Sequence, residues 1–442
     1  LANLSESVAD GPARTSGNLA SAAVHARRCD EQRQLIIISR GRAKIRGATG
    51  NEQERKQEPN HLQRQIDTEV PIIDVQHYPV IRKFHNLVKS SSLTFKAGAG
   101  ALRLVRSHGF DISAVGTIAG ASGGAKWLVL SQLDRAILQN LVPNMSGPVH
   151  LIGSSIGSWR FACYAQKEPV QAIERFERAY LEQTYSEKPD IHEITAKSRE
   201  ILALLLGDNG VSEILGSPLF RTHVMAVRSR HVMATEHRWL LATSLLTAAA
   251  LNAISRKTLG IFFERALFFD ARDVPPFFNV SGFPLQRIKL TAKNLMDAVV
   301  ATGSIPLVLS GVKDIQGAAP GVYRDGGVID YHLDLPHSAD ESLTLFPHFY
   351  DRIVPGWFDK KLKWRKPHPG NVDRTILISP SAAFVAKLPN AKIPDRTDFL
   401  NYSPADREKA WRGCVVACTE LADEFNEVMV RDQLAARLQP LW

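Results

Sequence analysis

The sequence predicts an α/β fold with a largely parallel central sheet, and three observations carry that expectation. Two apolar strand candidates, Val115 to Ala119 and Val149 to Ile152, each run into a glycine-bearing turn and then into a helical stretch. Ser155 in the second turn follows Gly124 in the first by 31 residues, the span of one strand-helix-strand crossover, so both turns are expected at the same end of a parallel sheet. Near the C-terminus, Trp411, Val415, Cys418, Leu421, Phe425 and Val428 recur at helical spacing and mark one apolar face for packing on a core.

Taken in order, residues 1–92 are polar, rich in Arg, Gln, Glu, Asn and Ser, with one compact apolar run at Leu35-Ile36-Ile37-Ile38. They are expected to be a disordered or loosely attached extension. The start lacks a charged-apolar-small signal layout, and Glu6, Asp10, Asp30 and Glu31 argue against a transit peptide. Residues 93–390 are expected to form the main domain. Within it, 169–270 reads as a mostly helical insertion, with helical spacing at Ala172-Ile173-Phe176-Ala179-Tyr180 and at Ile201-Leu204-Leu205. Trp239 to Ile254 is strongly apolar but short for a bilayer span, so it is expected to be a buried helix, and the 169–270 block as a whole has the alternative of capping the active site and lining an acyl-chain channel. Leu285 to Val300 reads as strand then helix, and Leu343 to Phe346 and Thr375 to Ser379 as further strands. Residues 391–442 are expected to be a helical segment packed on the core.

Composition narrows the class. With 442 residues, 44% of them hydrophobic and 22% charged, the chain has the make-up of a globular protein. The four cysteines, Cys29, Cys163, Cys414 and Cys418, have neither C-x-x-C nor C-x-x-H spacing. No disulfide framework, metal site or cofactor is expected, and a reducing, cytoplasmic setting fits. The net charge of +9 is dispersed and comes with no nucleic-acid-binding motif, so no nucleic-acid partner is expected. The one dense patch interleaves Lys360, Lys361, Lys363, Arg365 and Lys366 with Trp357, Phe358 and Trp364. Tryptophan beside cations is the composition of a contact with an anionic membrane surface; a solvated loop with packed tryptophans has it too.

Two short stretches carry the chemistry. Gly153-Ser154-Ser155-Ile156-Gly157 has the G-x-S-x-G form between a strand and a helix, the context that exposes a serine hydroxyl on a sharp turn. Tyr323-Arg324-Asp325-Gly326-Gly327 offers a carboxylate as its base. Alone, each has a bland reading: the first motif occurs by chance in chains of this length, and Asp-Gly is ordinary turn chemistry. Upstream, Gly120-Ala121-Ser122-Gly123-Gly124-Ala125-Lys126-Trp127 forms a second glycine cluster between strand and helix.

The order of glycine-rich loop, G-x-S-x-G and distant D-G-G resembles the patatin-like phospholipases over about residues 93–340. The small-residue run Ala301-Thr302-Gly303-Ser304-Ile305-Pro306-Leu307 is similar to that family's run before its aspartate. The resemblance implies a three-layer α/β/α domain and a lipid acyl hydrolase working without histidine through an acyl-enzyme. Ser155 stands at the nucleophile, Asp325 at the base, and Gly123, Gly124 and Ala125 at the oxyanion loop; Gly153 and Gly157 form the nucleophile elbow. A lipid or lysolipid substrate is implied, with a cytoplasmic location or a peripheral one on a membrane. The chain departs from the family pattern at Ser122, where a glycine is usual, and at Trp127.

Other assignments stay open on sequence alone. Gly120-Ala121-Ser122-Gly123-Gly124 is itself a G-x-S-x-G match, so Ser122 competes with Ser155. A Ser-acid-His order is permitted by His332 and His348, both downstream of Asp325. A lipid-binding protein without turnover and an acyltransferase are the remaining readings.

Overall fold

The computed structural model describes residues 91–338 and 342–442; the expected N-terminal extension therefore lies, but for its last two residues, outside the described residues. Eleven strands form one mixed sheet: β1 (Leu93–Ala97), β2 (Val115–Gly120), β3 (Val149–Ser154), β4 (Phe220–Ser229), β5 (Phe263–Phe269), β6 (Leu285–Lys289), β7 (Val312–Lys313), β8 (Val322–Asp325), β9 (Leu343–Pro347), β10 (Thr375–Pro380) and β11 (Leu438–Pro440). Nine run side by side in the order β11-β1-β10-β9-β2-β3-β4-β5-β6, and β8, with β7 beside it, adds to β4. The central pairs β9–β2, β2–β3 and β3–β4 are parallel, whereas β1–β10, β4–β5, β4–β8 and β7–β8 are antiparallel. Together with the helices this is the expected three-layer α/β/α architecture. Strands such as β10 and β9 are buried at every position, as a parallel sheet covered on both faces requires.

The helices that bear on the site are α1 (Ala99–His108), α2 (Ile156–Tyr164), α3 (Pro169–Leu181), α4 (Ile191–Leu206), α5 (Arg238–Ile254), α6 (Leu295–Gly303), α7 (Pro404–Ala417) and α8 (Thr419–Val430). The apolar face foreseen at the C-terminus is real but spans two helices that meet at Cys418. Trp411, Val415, Cys418, Leu421, Phe425 and Val428 are all buried.

Two expectations need correction. Residues 169–270 are mostly helical, but they are not an insertion alone, because they also supply β4 and β5, and β4 is a central strand. Phe220–Ser229 is buried almost throughout, and such a doubly covered strand carries no polar-apolar alternation to announce itself. Trp239 to Ile254 is helical, as α5, but it is not a buried helix. Only Leu241, Ala242, Leu245, Ala248 and Asn252 face inward, while Trp239 and Ile254 are 67% and 83% exposed. Among the described residues no helix is long and apolar enough to cross a membrane.

Helix α2 is clamped by a buried ion pair that sequence reading did not single out. Arg160 Nε donates to Asp134 Oδ2 at 2.8 Å, and Tyr164 Oη donates to Asp134 Oδ1 at 2.8 Å. Both charges are sealed from water, so each depends on the other; deleting one partner of such a pair typically costs about 3–5 kcal/mol. The pair fixes the helix that begins immediately after Ser155.

Candidate active site

Both glycine-bearing turns open at the same end of the sheet. β2 and β3 are parallel neighbours in a register that sets Gly120 opposite Gly153, so the chain leaves both strands at one level, as the 31-residue spacing implied. Ser155 then adopts φ 53° and ψ −129°, a left-handed conformation that costs a non-glycine residue about 1–3 kcal/mol. Such strain persists only where the surroundings enforce it. Here Ser155 N–H donates to Thr302 Oγ1 at 2.8 Å, and the Thr302 hydroxyl in turn donates to the Met225 carbonyl. The flanking glycines are dictated by close approach: a Cβ on Gly153 would lie 2.4 Å from Ser158 N, and one on Gly157 2.0 Å from Gly120 O.

Strand β4 unites the serine with its carboxylate. Its first six residues pair with β3, ending at Ser154 opposite Met225. Its last four pair with β8, with Ala226 opposite Asp325. Since β5 pairs with Val224–Ser229, β3 and β8 must share the other edge of β4, one taking over where the other stops. Two residues distant in sequence thereby meet at the junction. Ser155 Oγ donates to Asp325 Oδ2 at 2.7 Å, while Asp325 Oδ1 accepts from Gly327 N–H at 2.7 Å. One oxygen of the carboxylate thus holds the turn while the other meets the serine hydroxyl.

Electrostatics make that carboxylate a better base than a solvated one. Burial pushes the Asp325 carboxyl up to about 6, against the lowering effects of the Ser155 hydroxyl, the Gly327 N–H, Lys360 and Arg396. Ionised above that pH and buried, it is poised to accept the serine proton near neutrality.

Gly123, Gly124 and Ala125 lie where β2 gives way to a 3₁₀ helix, Gly124–Leu130, which has no side-chain cap. The first N–H groups of a helix lack intrahelical acceptors and carry partial positive charge, which suits a developing oxyanion. Gly124 has φ +56°, and a Cβ on Gly123 would collide with the Phe349 ring at 2.5 Å. The departure at Trp127 is accounted for by packing: its ring stacks on Phe176 at 4.3 Å and meets Tyr180 edge-on. The departure at Ser122 is accounted for by a hydrogen bond, Ser122 Oγ to Ser154 Oγ at 3.0 Å. Ser122 is thus engaged with a neighbouring hydroxyl and not with the carboxylate, and its backbone lacks the positive φ of Ser155.

Neither histidine joins the pair. His332 Nδ1 accepts from Val354 N–H and His348 Nδ1 from Tyr350 N–H, at 2.9 and 2.8 Å. Burial holds both rings neutral, His332 well below its ordinary value and His348 down to about 3. They stack edge-on with each other, centroids 4.2 Å apart, and belong to the packing beneath the loop.

The basic patch divides. Lys360 sits over the Tyr331 ring, 4.4 Å from its centroid, and is close enough to Asp325 to influence its protonation. Arg365 donates to the Asn252 carbonyl at 2.8 Å and lies beside the buried Asp359. Lys361, Lys363 and Lys366 are exposed, and Trp364 is 68% exposed; Trp357 is half-buried. Thr302 is the site residue whose role the sequence did not disclose, although the small-residue run around it pointed to its neighbourhood.

No protein-family model and no curated protein matches the chain. Among solved structures, the crystal structure of VipD from Legionella pneumophila is similar to 53% of this chain at 12% identity, with a TM-score of 0.26. The chain spans about half the length of that protein, 50% of it being covered.

Proposed function

We propose that the protein is a serine carboxylic-ester hydrolase that cleaves acyl esters of lipids through a Ser155-Asp325 dyad. The observation that carries the reading is the 2.7 Å hydrogen bond from Ser155 Oγ to Asp325 Oδ2, made on a strained turn beside a glycine loop that opens an uncapped helix start. Ser155 Oγ attacks the ester carbonyl carbon as its proton passes to Asp325, and the carbonyl oxygen becomes an oxyanion facing the Gly123-Gly124-Ala125 amides. Collapse expels the alcohol, which takes the proton from Asp325. Water then gives its proton to the same carboxylate and attacks the acyl-enzyme; as the fatty acid leaves, Ser155 Oγ takes that proton back from Asp325 and both groups are restored.

Lipid as the substrate class is supported by the resemblance of the motif order to the patatin-like phospholipases; phospholipid or lysophospholipid comes first, a neutral glyceride or small ester second. The domain limits follow from the same reading, with residues 93–390 as the hydrolase domain and 391–442 packed on it. The test is a panel of phospholipid, lysophospholipid and glyceride substrates, run with wild type, Ser155→Ala and Asp325→Asn, alongside labelling by a fluorophosphonate. Hydrolysis and labelling are expected for wild type, loss of both for Ser155→Ala, and loss of turnover for Asp325→Asn. Full activity in Ser155→Ala would refute the assignment, and wild-type labelling without turnover on any lipid would refute the substrate class.

A further inference from the structure

Helix α5 is anomalous for a surface helix. From Trp239 to Ile254 it has no charged residue, yet Trp239, Leu240, Leu246 and Ile254 are 67%, 47%, 49% and 83% exposed. A helix of this kind is ordinarily amphipathic, with charge on its outer side. Its inner side is not lacking partners: Leu241, Leu245 and Ala248 join Val328 and Ile329, just past the Asp325 turn, in a small apolar cluster separate from the main core. A shallow concavity on the outer side is lined by His237, Trp239, Leu240 and Thr243.

The fully exposed charges at the ends of the helix and on 357–366 are basic. Arg238 and Lys257 at its ends are exposed, as are Lys361, Lys363 and Lys366. The 357–366 segment is tied to the helix, since Asn252 Nδ2 donates to Asp359 Oδ1 and Arg365 donates to the Asn252 carbonyl, both at 2.8 Å. Trp364, next to Arg365, is thus exposed at the C-terminal end of the helix, where Ile254 is exposed too. Of the acidic groups on these two segments, Asp359 is buried beside Arg256 and Arg365, and Glu236 is paired with Arg324.

We infer that the outer face of α5, with Trp364 and the exposed lysines of 357–366, is a docking surface for an anionic lipid bilayer. Uncharged apolar side chains enter the headgroup boundary, the two tryptophans sit at interfacial depth, and the surrounding cations meet lipid phosphate and carboxylate. The N-terminal residues of the chain itself fit this rim less well, because residues 1–90 hold fourteen Lys and Arg against ten Asp and Glu and are themselves net basic. The inference deepens the reading as a lipid hydrolase by naming the surface on which that site would work.

The experiment is sedimentation of the full chain with phosphatidylcholine vesicles and with vesicles carrying phosphatidylserine, combined with hydrolysis of a soluble short-chain ester. Wild type is expected to bind the anionic vesicles and to be released by salt. Trp239→Ser with Leu246→Ser should cut binding at least ten-fold. Lys361→Glu with Lys363→Glu and Lys366→Glu should cut it on the order of 100-fold, each lysine near the surface contributing roughly five-fold. Turnover of the soluble ester should stay within two-fold in both variants, and Ser155→Ala should bind as wild type does. Wild type that fails to bind anionic vesicles would overturn the inference, as would a concentration-dependent dimer that Trp239→Ser with Leu246→Ser turns monomeric. Either failure leaves the dyad reading intact if the soluble ester is still cleaved, and loss of that cleavage in all proteins would strike the dyad reading alone.

Discussion

Gly157 meets Gly120 backbone to backbone: a Cβ built on Gly157 would lie 2.0 Å from the Gly120 carbonyl oxygen and 2.9 Å from its Cα. The first turn of α2 is thereby pressed against the end of β2, and the Ser155 turn is fixed to the glycine loop. The Gly120 oxygen that a Cβ would meet belongs to main chain and cannot swing aside as the end of a flexible side chain would.

Gly157→Ala should consequently disturb both loops at once. Overpacking of this kind costs about 1–3 kcal/mol, and relief by moving α2 would shift Ser155 away from Asp325. The expected result is a lowered Tm together with loss of most fluorophosphonate labelling. Unaltered labelling would mean that the contact does not set the site.

The pH profile of hydrolysis should report Asp325. Its carboxyl is raised to about 6, and only the ionised form can take the serine proton, so kcat/KM should rise through about pH 6 and level off above it. His332 and His348 remain neutral across that range and should add no second limb. An ascending limb that vanishes in His348→Asn, in protein that still folds, would restore the histidine triad.

The same burial has a stability consequence of opposite sign. Between the ordinary 3.8 and about 6, the folded protein holds a proton that the unfolded chain has released, so stability falls as pH rises through that window. The loss at neutral pH amounts to about 3 kcal/mol. Asp325→Asn carries no charge at any pH and should escape it. Thermal melts at pH 7.5 should find Asp325→Asn more stable than wild type by several degrees, with the gap closing near pH 4; a less stable variant at pH 7.5 would show that Asp325 is not held against its burial.

Sequence alone disclosed the parts of this site that depend on local geometry. The strand-turn-helix contexts of Gly123-Gly124 and Ser155 were legible because glycine spacing and apolar runs are both short-range signals. What stayed hidden was the means of assembly. β4 pairs first with β3 and then with β8, and nothing in Phe220–Ser229 announces that handover, since a strand buried on both faces looks like any apolar run. The outer face of α5 was misread for a related reason: an uncharged helix is ordinarily buried, and only coordinates show which side lacks cover. Asp134 and Arg160 are 26 residues apart, and no local pattern links them.

Thr302 offers the sharpest test of how the strain at Ser155 is sustained. Its hydroxyl accepts from Ser155 N–H and donates to Met225 O, so one side chain ties the nucleophile turn, the end of α6 and β4 together. Thr302→Val keeps the shape but leaves a buried N–H and a buried C=O without that partner, at about 1–3 kcal/mol for each. Released from its acceptor, Ser155 should relax out of the left-handed region and draw its hydroxyl away from Asp325. Fluorophosphonate labelling is expected to slow about ten-fold or more, and Thr302→Ser, which restores the hydroxyl but not the methyl, should recover most of the rate. If valine labels as fast as threonine, the turn is held by its glycines and its packing, and Thr302 has no positioning role.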